Sequence, residues 1–299
     1  MYTPRDLETS RLVNMPTLSI VLAITDAWPD LANCLAILEP QAEKVGAEII
    51  VGDGDGSALP DKYSNDPGRV VWIRKPGASV FELRALCLMA ARADIIATTE
   101  DHCVVEPDWA ERVLAAHAEH PEALAVAGAV TNGSTTTRAD WANFLHTFGA
   151  FTPPVDPQQR VRWPVNANLS YKRAAIPAGP VAPGWMELEL NGRLMREHKV
   201  VVDDRIRVAH VQTHGFLGTL AAHFDNGRAT TGLHPVRLSR RQLPWRLYRH
   251  TMQTLRNKPE LEPVIRSCKP MIAMLSTCHA LGETVGILFG PGKSAARLR

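Results

Sequence analysis

The sequence has few cysteines, and their number and spacing exclude two kinds of site. There are five, Cys34, Cys87, Cys103, Cys268 and Cys278, an odd number with no CxxC pair. A disulfide framework uses paired cysteines, and a thiolate zinc site uses closely spaced ones. We therefore expect free thiols and a reducing compartment.

The chain also lacks an apolar run near its start and has little net charge. The first 17 residues, MYTPRDLETSRLVNMPT, contain no continuous apolar core of a signal peptide, so a cytoplasmic protein is expected. The formal net charge of +2 hides an asymmetry, because residues 1–236 carry 21 Lys and Arg against 28 Asp and Glu, whereas residues 237–299 carry 12 against 3. A basic tail favours anionic surfaces, although a merely solvated basic helix is the alternative.

The composition is that of an ordinary globular protein, with 45% hydrophobic and 21% charged residues in 299. Segments 18–25, 47–57, 70–74 and 93–102 read as strands, the second of which breaks into glycines, and helical spacing fills 28–45 and 79–93. Strands that alternate with helices predict an α/β fold with a mainly parallel sheet flanked by helices. We predict one α/β domain over residues 1–236 and a basic, amphipathic helical appendage over 237–299.

Unusual polar residues follow three of the predicted strands. Asp26 follows the first strand, Asp53 and Asp55 follow the second, and the sequence TTEDH, with Glu100, Asp101 and His102, follows the fourth. Each alone could be a turn residue or a helix cap. Ligands of parallel sheets bind beyond the carboxyl ends of the strands, so three such ends together indicate a site.

Several segments resemble family-two glycosyltransferases of the GT-A fold. LSIVLAITDAWPDLANCLAIL resembles their start, IIVGDGDGS their Asp-rich turn, and FELRALCLMAARADIIATTEDHCVVEPDW the segment that leads into their DxD metal motif. VNANLSYKRAAI is similar to an acceptor segment and GWMELELNGRLMREHKVVV to the base motif. The resemblance covers roughly residues 17–232, and it implies a GT-A fold and an inverting, metal-dependent transfer from a nucleotide-diphospho-sugar.

The resemblance implies a metal site with an altered motif. Counting back from Pro107, the first aspartate of DxD falls on Glu100 and the second on His102, with the late histidine of such enzymes at His210. Imidazole suits Mn²⁺ better than Mg²⁺, so Mn²⁺ is the preferred divalent cation and Mg²⁺ the alternative. Three alternatives remain open. Asp101 could be the metal ligand in place of His102, metal binding could be weak, or the three polar groups could only solvate the end of the strand.

The donor site implied by the resemblance draws on residues from several segments. Asp53 corresponds to the carboxylate that contacts the nucleotide, with Thr25 and Asp26 beside it, and Arg84 to an arginine that faces the diphosphate. The implied nucleotide-sugar-binding residues are Thr25, Asp26, Asp53, Arg84, Glu100 and Asp101. Arg84 could equally be a surface arginine of an amphipathic helix. HFDNGRATTG, residues 223–232, is expected to form a mobile loop from which Arg228 could reach a phosphate.

The catalytic base and the acceptor residues are implied by the same resemblance. Counting back from Arg193-Leu194, the acidic pair of the base motif falls on Met186-Glu187, so Glu187 is the preferred base and Glu189 the reserve. An acid at a helix start also favours the helix dipole, which is the plain alternative. Asn168 and Trp185 are the expected acceptor-binding residues.

The tail suggests a membrane surface rather than a membrane span. Residues 270–290 are long enough to cross a bilayer, but His279 and Glu283 lie in the middle and are costly in lipid. An interfacial helix flanked by Arg and Lys is therefore expected, on the inner face of the membrane and near a lipid-linked acceptor; a core or dimer helix is the alternative.

The sequence thus predicts an inverting glycosyltransferase that uses a nucleotide-sugar donor and an unidentified acceptor, for which a lipid-linked molecule is a candidate. No nucleic-acid partner is expected. Two other functions stay open. A nucleotidyltransferase would need a Gly-rich phosphate loop after the first strand, and TDAWPD provides none. A non-catalytic nucleotide-sugar binder is compatible with the altered metal motif.

Overall fold

A computed structural model describes residues 15–25, 30–57, 62–63, 70–155, 164–234 and 243–298. Its strands are β1 (Ser19–Ile24), β2 (Glu48–Asp53), β3 (Val70–Arg74), β4 (Ile95–Thr98), β5 (Cys103–Val105), β6 (Ala125–Asn132), β7 (Leu169–Lys172) and β8 (Val200–His210). Its helices are α1 (Asp30–Val45), α2 (Val80–Ala90), α3 (Trp109–Glu119), α4 (Arg138–Phe148), α5 (Asn191–Arg196), α6 (Gly215–Leu233), α7 (Pro244–Thr254) and α8 (Glu262–Phe289).

The described strands form one eight-stranded sheet in the order β3-β2-β1-β4-β7-β6-β8-β5. Strands β1 to β4 are parallel to one another, and β6 is parallel to β8, whereas β7 and β5 run antiparallel to their neighbours. The predicted α/β, mainly parallel sheet is confirmed. The three polar strand ends lie together because β1 pairs on one side with β2 and on the other with β4.

Burial on both faces explains why the first strands read as continuous apolar runs. All six residues of β1 and of β2 are buried, as expected for parallel strands covered by helices on each side. Helix α1 directs Leu31, Leu35 and Leu38 into the core at helical spacing. Helix α2 begins where the Ser79 hydroxyl accepts a hydrogen bond from the Glu82 amide.

The expected loop over residues 223–232 is wrong, because this segment lies within α6. Its Gly227 is a packing residue and not a turn residue. A Cβ on Gly227 would lie 2.2 Å from the His279 carbonyl oxygen, and one on Gly282 would lie 2.0 Å from that of Phe224. Helices α6 and α8 therefore pack backbone to backbone, and that contact outweighs the turn preference of Asp-Asn-Gly.

The C-terminal helices pack on the rest of the protein. Ile272 and Leu275 of α8 are fully buried and belong to the same core as the sheet. The predicted boundary between residues 236 and 237 lies within 235–242, outside the described residues. Residues 259–289 are long and apolar enough to cross a membrane, yet 39% of the most apolar window is buried inside the protein. The five cysteines are free, and all but Cys278 are buried.

Candidate functional site

A carboxylate and two imidazoles meet at the carboxyl ends of β4 and β8. Glu100 and His102 lie in the turn from β4 to β5, and His210 is the last residue of β8, which pairs with β5 in the register Cys103 to His210. The Nε2 atoms of His102 and His210 are 3.0 Å apart, and Glu100 Oε2 lies 3.5 Å from the first and 3.4 Å from the second. One ligand atom from each residue thus points to a common position.

Asp101 fixes the orientation of the His102 ring. Its Oδ1 atom lies 2.9 Å from His102 Nδ1, which leaves Nε2 directed at Glu100 and His210. Burial alone would lower the pKa of His102, but the hydrogen bonds to Asp101 and Glu100 outweigh burial and raise this pKa to about 10. Burial lowers the pKa of His210. A carboxylate behind a ligating imidazole is the usual outer support of a metal-bound histidine.

Arg84 connects this cluster to the predicted base. Its Nη2 donates to Glu100 Oε1 at 2.9 Å, and its Nη1 donates to Glu187 Oε1 at 3.3 Å. The Arg84 and Glu187 side chains are each only 9% exposed, so the guanidinium lies below the cluster rather than on a surface. Burial raises the pKa of Glu187, and the neighbouring Arg84 opposes that shift. Burial alone would also raise the pKa of Glu100, but His102, His210 and Arg84 lower it well below its usual value.

The two acidic candidates of the base motif point in different directions. The motif forms a π-helical turn, Met186–Leu190, that runs into α5. Glu187 is buried against Arg84, whereas the Glu189 side chain is 51% exposed and lies 3.6 Å from His234 Nδ1. Among the two, Glu187 is the carboxylate next to the cluster.

Asp53, which the sequence predicts to contact the nucleotide, lies at the end of β2. Asp53 Oδ1 accepts hydrogen bonds from the amides of Asp55 and Gly56, and its Oδ2 accepts one from Arg74 Nε at 2.9 Å. Thr25, directly after β1, donates its hydroxyl to the Leu298 carbonyl at 3.4 Å. The structure therefore brings Thr25 and Asp53 to adjacent strand ends, while Asp26 lies outside the described residues.

Asn168 does not fit the expected acceptor role. It is 1% exposed, its Oδ1 accepts from Trp109 Nε1, and its Nδ2 donates to the carbonyls of Ala129 and Ile206. This amide is engaged inside the core, where it ties the residue before β7 to β6 and β8. The Asn168 side chain therefore braces the core, and its acceptor role stays a prediction. Trp185 is half-buried and packs against the main core.

Comparison with known proteins identifies the family. The model of glycosyl transferase family 2 matches residues 19–176, more than half of the chain. The chain belongs to glycosyl transferase family 2. No match was found among curated protein sequences.

Three solved structures are similar to this chain in fold. A mannosyltransferase, PcManGT from Pyrobaculum calidifontis, in complex with GDP-Man and Mn²⁺, shares 11% identity at a TM-score of 0.55, covering 93% of this chain and 88% of that chain. TarS residues 1–349 from S. aureus (11% identity, TM-score 0.45) covers 91% of this chain and 90% of its own. A mycobacterial protein has 15% identity and a TM-score of 0.48 over 78% and 77%. The first of these supports the GT-A fold of this glycosyltransferase.

The donor set of the glycosyltransferase fits a divalent cation. Two imidazole nitrogens and one carboxylate oxygen lie within 4.8 Å of one another, and Arg84 occupies Glu100 Oε1 so that Oε2 faces the imidazoles. Nitrogen and oxygen ligands in this ratio suit Mn²⁺ better than Mg²⁺. A second acidic group, Glu119, His120 and Asp203, is less suited, because Arg205 donates to both of its carboxylates.

Sequence reasoning missed the residues that complete the cavity above the cluster. Besides Glu100, His102 and His210, its lining includes Asn143 and Thr147 of α4, Asn226 of α6, and Arg297 and Leu298 near the C-terminus. Helix α4 carries no motif that marks these residues. Arg297 lies 195 residues after His102 in the chain, and no local pattern connects the two.

Proposed function

We propose that this glycosyltransferase moves a sugar from a nucleoside-diphospho-sugar to an acceptor hydroxyl, with inversion, and uses a divalent cation held by Glu100, His102 and His210. The convergence of these three side chains at the carboxyl ends of β4 and β8 carries the proposal. The bound cation would offset the negative charge that develops on the departing diphosphate. Mn²⁺ is favoured over Mg²⁺ by the two imidazoles, and PcManGT was solved with GDP-Man and Mn²⁺.

Glu187 is proposed as the base. As it accepts the proton of the acceptor hydroxyl, the hydroxyl oxygen bonds to the anomeric carbon and the bond from that carbon to the diphosphate breaks. The nucleoside diphosphate leaves, and attack from the opposite face inverts the anomeric centre. A carboxyl whose pKa is raised by burial is better matched to proton transfer near neutral pH than an exposed one. Glu189, half exposed, is the reserve.

The donor's nucleotide is proposed to bind at the adjacent ends of β1 and β2. Asp53 is the carboxylate for this role, with Thr25 beside it, while Asp101 supports the metal ligand His102. Arg84 would act on the diphosphate only through Glu100, because its guanidinium is buried between Glu100 and Glu187. Trp185 remains a proposed acceptor contact.

A lipid-linked acceptor at a membrane surface is proposed from the exposed face of α8. Met274, Leu281 and Leu288 recur every seven residues, so they lie on one side of the helix, and they are 41%, 55% and 55% exposed. Trp245 of α7 is also exposed and has Arg246 and Arg249 over its ring. Apolar side chains flanked by arginines are typical of a helix that lies in a membrane interface.

A donor screen tests the proposed function. Nucleoside-diphospho-sugars that differ in base and sugar are compared for thermal stabilisation of the full chain, in Mn²⁺ and in EDTA, and binders are then assayed for transfer to lipid and soluble acceptors. A donor that stabilises the protein more in Mn²⁺ and is consumed only with an acceptor supports the proposal. Stabilisation without transfer to any acceptor would favour a nucleotide-sugar binder, and absence of stabilisation would contradict the proposal.

A further inference from the structure

The C-terminal segment after α8, residues 290–298, is fixed to α6 and is called the C-terminal strap below. It leaves α8 through Gly290 and Gly292, whose φ angles of 72° and 52° favour glycine. The Gly290 carbonyl accepts a hydrogen bond from Arg228 Nε at 3.2 Å, and the Ser294 hydroxyl donates to Asp225 Oδ1. Two residues of α6 therefore set the direction of the strap.

The far end of the strap reaches the donor side of the site. Ala295 and Leu298 pack on an apolar group formed by Val80 and Phe81 of α2 and Ala229 of α6. The Leu298 carbonyl accepts the hydroxyl of Thr25, which follows β1. The strap thus runs from α6 to the strand end where the nucleotide is proposed to bind, and Leu298 lines the same cavity as Glu100, His102 and His210.

Arg297 is placed in this cavity without a strong partner of its own. Its side chain is 65% exposed, and Nη1 lies 3.8 Å from Asp225 Oδ2, which is longer than a hydrogen bond. An exposed ion pair of this length contributes little, so the guanidinium can turn to a stronger anion at small cost. Among the described residues that line the cavity, no other carries a guanidinium or an ammonium group.

Charge balance indicates which anion this would be. A nucleoside-diphospho-sugar carries two negative charges, and the leaving nucleoside diphosphate gains a further one. The cation proposed between Glu100, His102 and His210 is already partly offset by the carboxylates of Glu100 and Asp101. A cationic side chain in the lining of the cavity would offset the remaining negative charge, and a guanidinium can contact two phosphate oxygens at once.

We propose that Arg297, carried by the C-terminal strap, is a ligand of the donor's diphosphate. This inference rests on the proposed function, since it requires a nucleoside-diphospho-sugar in the cavity. It replaces the expectation that Arg228 contacts a phosphate. Arg228 instead supports the strap, because its Nε donates to the Gly290 carbonyl and a Cβ on Gly292 would lie only 2.3 Å from its Nη2.

Binding measurements on the full chain test this role. The affinities of UDP and GDP are measured by calorimetry in Mn²⁺ for the wild type, Arg297→Gln, Arg297→Lys and Lys293→Gln. Lys293 is the matched control, because it is an exposed cation on the same strap and does not line the cavity. We expect Arg297→Gln to weaken the better-bound diphosphate roughly 10- to 100-fold, the effect of losing hydrogen bonds to a charged group. Arg297→Lys should weaken it less, and Lys293→Gln should bind within about twofold of the wild type, since a distant exposed charge is screened.

The same series with the corresponding nucleoside monophosphates locates the contact. The loss in Arg297→Gln should be smaller for UMP or GMP than for the diphosphates if the guanidinium binds the outer phosphate. Equal affinity of wild type and Arg297→Gln for the diphosphates would overturn this inference and leave the proposed function intact. Equal weakening by Lys293→Gln would reduce the effect to general attraction and also overturn it. Tighter binding by Arg297→Gln would show that the strap obstructs the site, and a wild type that binds neither diphosphate would overturn the proposed function together with this inference.

Discussion

Replacement of Arg84 by methionine should destabilise the protein, because it leaves two acidic side chains without the cation buried between them. The guanidinium lies 2.9 Å from Glu100 and 3.3 Å from Glu187, and its side chain is 9% exposed. At an effective dielectric constant of about 20, these distances correspond to Coulomb attractions of about 6 and 5 kcal/mol. The desolvation of three charged groups offsets much of this attraction.

The expected loss is therefore the cost of breaking a buried ion pair, about 3–5 kcal/mol in the free energy of unfolding. The double variant Arg84→Met with Glu187→Gln should recover about 1–3 kcal/mol of it, since one of the two carboxylates that faced Arg84 is then neutral. Arg266→Met is the matched control. Its ion pair with Glu262 is exposed on α8, where such pairs contribute less than about 1 kcal/mol.

The loss should also depend on pH. Burial already raises the pKa of Glu187, and removal of Arg84 should raise it further. A carboxyl group whose folded pKa exceeds its unfolded value of about 4.3 contributes stability below that value and loses it as the pH rises through the folded pKa. The deficit of Arg84→Met should thus be larger at pH 7 than at pH 5.

Denaturant unfolding followed by circular dichroism, at pH 7 and pH 5, measures all four proteins. Stability of Arg84→Met within about 1 kcal/mol of the wild type would refute the argument that Arg84 compensates two buried carboxylates. An identical deficit in the single and double variants would refute the specific link to Glu187.

Three further predictions concern catalysis, metal and membrane. Glu187→Gln should lower turnover by about 10²–10⁴-fold with little change in donor affinity, and Glu189→Gln should keep nearly the wild-type turnover. Steady-state kinetics and calorimetry measure both quantities. The reverse ranking of the two variants would make Glu189 the base. His102→Ala should abolish the strengthening of UDP or GDP binding by Mn²⁺ while leaving binding in EDTA unchanged, and a wild type with equal affinity in both would exclude the metal site. The double variant Leu281→Glu with Leu288→Glu should reduce co-sedimentation of the protein with anionic liposomes at low salt, whereas Val71→Glu on β3 should not. If the wild type does not co-sediment with such liposomes, the proposed binding to a membrane surface is wrong.

The first half of the fold could be predicted from the sequence because its signals are local. Buried parallel strands need continuous apolar runs, and β1 and β3 lie within one residue of the predicted segments, while β2 ends where its segment breaks into glycines. The polar residues after β1, β2 and β4 indicated a candidate site, since a buried strand that runs into Glu100, Asp101 and His102 must place them at the edge of the sheet. The family resemblance supplied the order of the motifs.

Turn residues misled the prediction where a close helix contact decided the structure. Asp225, Asn226 and Gly227 favour a turn when considered alone. Gly227 is nevertheless required inside α6, because a side chain there would collide with the backbone of α8. Asn168 is a similar case, because it was chosen from a motif, whereas its burial comes from contacts with α3, β6 and β8.

The sequence by itself determined the first four strands of the sheet and which of their ends carry charged side chains, because continuous burial is written into consecutive residues. Only the tertiary structure decided that Arg84 lies between Glu100 and Glu187, that His102 faces His210, and that the C-terminal strap reaches Thr25. These contacts join residues separated by 16, 103, 108 and 273 positions. No short-range pattern specifies such pairs, since they form only when the sheet and the packing of α6 against α8 bring distant segments together.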